Sequence, residues 1–187
     1  MVPRLNFRLP PTFFIPKRLF GGTQEMAYAE KRLIGFSREQ MFDVVADVGE
    51  YRHFIPWCRR SEILEEHKNA RIAKLEIGFP PLRESYQSRI ILVRPTVVHS
   101  AVIGDSIFHK LETTFRFGRG LPGNEHTCTL HYDLVFEFKY ALHSTLAHLF
   151  FHKVVKAMVD AFLKRAEDVH GRPSTLHGEA EVLRLKH

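Results

Sequence analysis

The sequence predicts an α+β domain in which a curved antiparallel sheet wraps around one long C-terminal helix. Three observations predict it. Apolar and polar residues alternate in several stretches between residues 73 and 138. A helical period takes over at Leu142 and lasts to His170. Two short helical segments separate the first strand from the rest of the sheet. Sheet and helix each have an apolar side to bury, and packing one on the other satisfies both.

The elements follow in order. Ala27–Phe36 reads as a strand leading into Ser37. The stretch SREQ, 37–40, has the form of a capping box: the Ser37 hydroxyl accepts from the third helical amide and Gln40 reaches back. Met41, Phe42, Val44, Val45 and Val48 follow at helical spacing, and Gly49 is a stop. A second short helix, Glu50–Phe54, ends ahead of Pro56, because the residue before a proline avoids the helical region. Ala73, Leu75, Ile77 and Phe79 then share one strand face, with Lys74 and Glu76 on the other. The stretch FPPL, 79–82, is a turn with apolar flanks. Tyr86–Val93 is a strand ended by Pro95, and Val97–Ile103 is another. Leu111, Thr113, Phe115 and Phe117 share a face in the next. From Cys128 to Phe138 apolar residues alternate with Thr129, His131, Asp133 and Glu137, the pattern of a half-buried antiparallel strand. The order is strand, two short helices, about six antiparallel strands and one long helix.

The long helix changes character along its length. In its second half Lys156, Asp160, Lys164 and Glu167 gather on one side, opposite Ala157, Met158, Ala161 and Phe162. Followed back, the polar side meets Lys153 and then Leu149, Leu146 and Leu142, while the opposite side carries Phe150, Phe151, Val154 and Val155. The first half is therefore apolar nearly all round. Outward leucines call for a covering element, a partner or a membrane. Lys153 and Lys156 stand where they would meet anionic headgroups. Gly171 and Pro173 close the helix, and the tail that ends in LRLKH shows no pattern.

Charge is unevenly placed. Residues 1–24 carry Arg4, Arg8, Lys17 and Arg18 and no acid; without those four cations the net charge falls from +6 to +2. The body is nearly balanced, which argues against a nucleic-acid partner. A basic, acid-free start reads as a mitochondrial transit peptide or as a disordered basic tail; four prolines and the absence of serine depart from the usual transit composition. No run approaches the ~18 apolar residues that span a bilayer. Two cysteines make no disulfide framework. The expected organisation is residues 1–24 as that leader or tail, 25–170 as the folded domain and 171–187 as a flexible tail.

Residues with possible chemistry each have a plain structural alternative. His148 and His152 have the i,i+4 spacing of metal ligands, but no acid or cysteine is placed to complete a set, so no metal is expected. Cys58 beside His53 lacks an identifiable base and orienter, so it reads as a small apolar residue with a weak thiol donor and no catalytic residue is assigned. Glu84, Arg89 and Glu112 are candidate contacts for a ligand head, or solvated strand faces. Trp57, after Pro56 in HFIPWC, suits a rigid apolar corner that walls a cavity.

The stretches EYRHFIPWCRRSEI (50–63), LEIGFPPLRESYQSRI (75–90), FHKLETTFRFGRGLPG (108–123), CTLHYDLVFEFKYALHS (128–144) and FFHKVVKAMVDAFLKRA (150–166) closely resemble the mitochondrial coenzyme Q-binding family of the START/polyketide-cyclase superfamily. The likeness covers about residues 27–168. Phe115 stands where that family usually has tryptophan before R-F, which keeps an aromatic wall and loses an indole donor.

The resemblance implies a helix-grip START-like fold with a hydrophobic tunnel that binds ubiquinone or a related prenylated quinone. It implies a peripheral place on the matrix side of the inner mitochondrial membrane and a part in respiration and ubiquinone synthesis, with the synthesis complex or another protein as partner. It brings no catalytic activity and no catalytic cofactor. The tunnel would be walled by Leu75, Ile77, Phe79, Tyr86, Leu111, Phe115, Leu134 and Phe136 of the sheet and by Val155, Met158 and Phe162 of the helix, with Phe54 and Trp57 at one end. Membrane contact falls to Pro80, Pro81 and Leu82 of the turn and to Leu142, Leu146, Leu149, Lys153 and Lys156 of the helix. The alternatives are a protein-interaction module, as in ribosome-associated bacterial relatives, and a small cyclase that uses the same cavity.

Overall fold

The computed structural model describes residues 24–79 and 82–186, with Phe79, Leu82 and residues 141–153 described by their backbone alone. One antiparallel sheet of eight strands carries the fold: β1 (Met26–Ile34), β2 (Cys58–His67), β3 (Ala70–Phe79), β4 (Leu82–Val93), β5 (Val97–Ile103), β6 (Phe108–Arg119), β7 (Cys128–Phe138) and β8 (Glu181–Lys186). Their order across the sheet is β2-β3-β4-β5-β6-β7-β1-β8. Among the described residues the α-helices are α1 (Arg38–Ala46), α2 (Tyr51–Phe54) and α3 (Ala141–His170), with a 3-10 turn at Val48–Glu50 between the first two. The expected α+β architecture, a curved antiparallel sheet around a long terminal helix, is the observed one.

Register decides which side chains face the helix. Leu75 stands opposite Tyr86, Ala73 opposite Ser88, and Ile90 opposite Ser100. Phe115 pairs with Tyr132, Thr113 with Leu134 and Leu111 with Phe136. Because side chains alternate across a strand, each such series lies on one face. β7 ends at Phe138 and α3 begins at Ala141, so the helix starts at the sheet end where Phe108 pairs with Phe138 and runs back across this face. Val155, Val159, Phe162, Leu163 and Ala166 of α3 are buried, while Lys156, Asp160 and Lys164 are exposed. The buried face is wider than the sequence period indicated, because α3 packs on α1 as well as on the sheet.

The local signals are realised. Ser37 Oγ accepts from Gln40 N at 3.2 Å and Gln40 Oε1 accepts from Ser37 N at 2.9 Å, so both halves of the capping box form. α2 ends with Ile55 in an extended conformation ahead of Pro56. Trp57 follows with φ +64°, a conformation that costs a bulky residue of the order of 1–3 kcal/mol. Gly78 N donates to the Trp57 carbonyl at 2.9 Å and Cys58 N to that of Ile55 at 3.2 Å. HFIPWC is thus a tied corner between α2 and β2.

Two strands had no signal in the sequence. β2 is rich in acid and base, and its register shifts between Cys58 and Arg60 and again between Ile63 and Glu65, which erases the period. β8 corrects the reading of 171–187 as a patternless tail: it pairs with β1, yet every one of its residues is exposed, so burial imposes no alternation. The approach to β8 is stitched down. Ser174 N donates to Gly35 O at 2.7 Å and Gly178 N to Leu33 O at 2.8 Å. Gly35 is required there, because a Cβ on it would lie 2.1 Å from the Thr175 carbonyl oxygen.

The strap depends on a neutral histidine. Gly35 N donates to His177 Nδ1 at 3.1 Å, which places the imidazole proton on Nε2. Burial lowers the His177 pKa, against a smaller opposing pull from Glu167. A depressed folded pKa contributes stability that is complete above the ordinary histidine range and is lost as pH falls toward the lowered value. Protonation would set an Nδ1 proton against the Gly35 N–H. We predict that amide-exchange protection at Gly178 and along β8 falls between pH 8 and pH 5, and that His177→Gln flattens this dependence.

Candidate functional site

The helix-facing side of the sheet has two unlike halves. At the end covered by α1, α2 and the second half of α3, aromatic rings close on one another. The Phe162 ring centroid lies 5.0 Å from Phe115, 5.3 Å from Tyr51 and 5.5 Å from Phe54, all edge to face. The Phe115 and Tyr132 rings meet at a tilt, with centroids 4.8 Å apart. Tyr51 donates its hydroxyl to Val45 O at 2.5 Å, and the Arg165 guanidinium lies 5.4 Å over the Phe54 ring. Aromatic edge-to-face packing of this kind adds to the simple burial of area.

Beside this plug is a buried charge cluster that the sequence reading did not single out. Glu30, 2% exposed, accepts from the Tyr28 hydroxyl at 2.6 Å and lies 3.2 Å from Arg32 Nε. Arg32 reaches Asp160 of α3 at 3.9 Å, so the cluster links β1 to the helix. Its signal was parity: Glu30 and Arg32 are in phase with Met26, Tyr28 and Ile34.

The other half is looser. Ile107, Phe108 and Phe138 form a small separate core, with Ile77, Tyr86, Val102, Leu111 and Phe136 only partly buried against it. Tyr86 meets Phe108 edge to face at 5.6 Å, and Phe108 lies 4.8 Å from Phe138. This is the end where α3 starts and where the β3–β4 turn lies.

The residues read from the sequence as tunnel wall divide between these halves. Leu75, Phe115, Leu134, Val155 and Phe162 belong to the closed core, where the neighbours of Phe115 and Phe162 are other rings. Ile77, Tyr86, Leu111 and Phe136 lie together against the small core, and Tyr86, Leu111 and Phe136 touch the edge of the main core as well. Phe54 and Met158 are partly buried at the edge of the main core, and Trp57 is half-buried at its corner. Phe108 and Val102 were missed. The register shift between Phe108 and Lys110 takes Phe108 out of phase with Leu111 and hides it from a period-two reading. The side chains of Phe79, Leu82, Leu142, Leu146, Leu149 and Lys153, with Pro80 and Pro81, lie outside the described residues, as do His143, His148 and His152. Lys156 is exposed.

The polar candidates also separate. Glu84, in phase with Tyr86 and Ser88, faces the helix and is half-buried. Arg89 and Glu112 face outward: Arg89 lines a shallow outer groove with Ile72 and Ile91, and Glu112 lies 3.9 Å from Lys110. The register adds three hydroxyls to the inner face, those of Ser88, Ser100 and Thr113. Ser88 Oγ lies 2.6 Å from Ser100 Oγ and 3.0 Å from the Ala101 carbonyl. Burial pushes the Cys58 thiol up to about 11 and the Cys128 thiol up to about 12, so both stay protonated at neutral pH. Among the described residues no three of His, Cys, Asp and Glu are grouped to hold a metal, and no helix is long and apolar enough to cross a membrane.

Comparison with known proteins puts this geometry in context. The family described as polyketide cyclase / dehydrase and lipid transport matches residues 34–163. The chain is 45% identical over 163 residues to a mitochondrial coenzyme Q-binding protein, COQ10 homolog B, of Xenopus laevis, covering 87% of this chain and 67% of that one. It is 36% identical over 147 residues to the mitochondrial coenzyme Q-binding protein COQ10 of Drosophila melanogaster, covering 79% and 61%. The ribosome association toxin RatA of Pseudomonas aeruginosa is 30% identical over 139 residues, covering 74% and 94%. Among solved structures, the Zhui aromatase/cyclase from Streptomyces sp. R1128 shares the fold with a TM-score of 0.65 at 17% identity, over 77% of this chain and 94% of that one.

The plug makes a quantitative expectation. Phe162→Ala removes the ring that three elements share, and urea denaturation should show a loss of about 3–5 kcal/mol. Phe162→Leu, which retains most of the volume, should lose clearly less.

Proposed function

The chain belongs to the coenzyme Q-binding group of the polyketide cyclase / dehydrase and lipid transport family, and from that premise we propose that it binds ubiquinone or a related prenylated quinone and delivers it at the inner mitochondrial membrane. One observation carries this reading: an apolar, aromatic inner face that is closed at one end and only partly buried at the other, at Ile77, Tyr86, Leu111 and Phe136. Such a face suits a ligand that is almost entirely hydrocarbon. Burial is worth about 0.8 kcal/mol per CH₂-sized group, so a few isoprenoid units suffice for tight binding. The binding wall then comprises the open-half residues with Phe54, Trp57 and Met158 at its border, and the closed-half residues support it from behind.

Tight binding in an apolar site makes unaided release slow, so delivery needs a path that avoids water. The sequence pattern supplies one. By helical period Leu142, Leu146 and Leu149 fall on one apolar strip ahead of Lys153 and Lys156, and Pro80, Pro81 and Leu82 are a second apolar stretch in the sequence between β3 and β4. Both belong to the open end of the sheet. On this reading they enter the bilayer together and the tail passes from protein to membrane directly. Residues 1–24 act as the import leader, 25–170 as the lipid-binding domain, and the matrix face of the inner membrane is the place of action, in support of respiration and quinone synthesis. The role assigns no catalytic step to the protein.

Organic extraction of the purified protein with mass spectrometry of what co-purifies tests the ligand. A stoichiometric prenylated quinone is expected. An empty protein, or one with only trace phospholipid, would overturn the reading and shift the weight to a protein partner. Docking is tested by flotation with vesicles that contain anionic phospholipid: Leu146→Asp and Leu149→Asp should each weaken association, and unchanged flotation of both would refute the membrane contact.

A further inference from the structure

The inner face is not uniformly apolar, and its few polar groups are unequal in what they offer. A quinone ring presents carbonyl and methoxy oxygens, all of them acceptors, so its recognition needs donors. Glu84 as a carboxylate only accepts. Ser88 and Ser100 use their protons on each other and on the Ala101 carbonyl: if Ser88 donates to Ala101 O at 3.0 Å, Ser100 must donate across the 2.6 Å contact to Ser88. The Tyr132 hydroxyl also lacks a hydrogen-bond partner among the described residues, but Tyr132 is 1% exposed and packed against Phe115 inside the plug. Toward the less buried half, Tyr86 and Thr113 remain. Neither hydroxyl has a hydrogen-bond partner among the described residues, and neither oxygen is among the sealed, unpartnered ones. An apolar face that holds two uncommitted donors outside its closed plug is chemically matched to a ligand with two carbonyls and a hydrocarbon tail.

Their place along the strands sets an orientation. Thr113 is the last inward residue of β6 before Phe115, so it stands at the boundary between the open half and the aromatic plug. Tyr86, two strands away across β5, is partly buried against both the main core and the small one. From Thr113 to Phe108, the mouth end of β6, is five residues, or about 17 Å at the rise of an antiparallel strand. That length takes a ring and the first few isoprene units, and a longer tail must continue outside.

Resting on the quinone-binding reading, we propose that the ring enters head-first and stops against the Phe115–Phe162 plug, with its oxygens accepting hydrogen bonds from the hydroxyls of Tyr86 and Thr113 and its tail leaving past Leu111 and Phe136 toward the start of α3. The Tyr86 hydroxyl stays a donor at any physiological pH, because burial raises its pKa. The arrangement accounts for delivery in the proper order: the tail is already at the membrane end when the protein docks, and the head follows.

The test uses Tyr86→Phe and Thr113→Val, each of which removes one hydroxyl and keeps the shape of the side chain. The full-length protein and its variants are equilibrated with detergent micelles that contain either a ubiquinone with a two-unit tail or squalene, a prenyl hydrocarbon without a ring. Bound ligand is measured by mass spectrometry. Each variant should lose about three- to tenfold in quinone affinity, the double variant more, with squalene binding unchanged. Unchanged quinone affinity in the double variant, or an equal loss for both probes, would overturn the head-first placement. A wild-type protein that takes up squalene but no quinone would instead overturn the quinone reading on which the placement rests.

Discussion

The fold depends on the seat of one ring. Phe162 projects from the long helix into the junction of α2, β6 and the sheet floor, and touches Tyr51, Phe54 and Phe115 at once. These contacts fix how the helix lies on the sheet. The closed half supplies the burial that stabilises the domain. That leaves the other half free to remain only partly covered without unfolding the whole.

The buried charges serve the same division. Glu30, Arg32 and Tyr28 form a polar island under α3, with Asp160 reaching in from the helix. A buried ion pair gives little net stability, but breaking it leaves an uncompensated charge. Through Arg32 the cluster also reaches the half-exposed Asp160 of α3, which ties β1 to the helix. The Trp57 corner works in a similar way at the other side of the sheet, where a left-handed residue held by Gly78 directs β2 back along β3. The C-terminal strap completes the set by covering the free edge of β1 with β8.

Function follows from unequal packing. The rings that the family resemblance assigns to a tunnel are, over half the sheet, one another's neighbours. The less buried part of the inner face, at Ile77, Tyr86, Val102, Leu111 and Phe136, is the part that the proposed ligand would use. A relative named a ribosome association toxin and a neighbour named an aromatase/cyclase share this frame. The frame itself does not select a chemistry; the side chains at the open end do.

The sequence by itself determined the class of the fold, the capping box, the bend before Pro56, five strands between 73 and 138 with a sixth within 27–36, and the extent of the long helix. Each of these rests on a local cause: a period, a cap or a restricted dihedral angle. The apolar character of the ligand face was legible for the same reason, since parity along a strand is a local property. Tertiary structure alone decided the rest. β2 and β8 were silent, one through its bulges and the other through full exposure. Phe108 joined the inner face only through a register shift. Whether Leu75 or Phe115 meets a ligand or another ring depends on where α3 sits, and whether a hydroxyl such as Thr113 is left uncommitted depends on which strand lies beside it. Those facts are relations between residues far apart in the chain, and no local pattern records them.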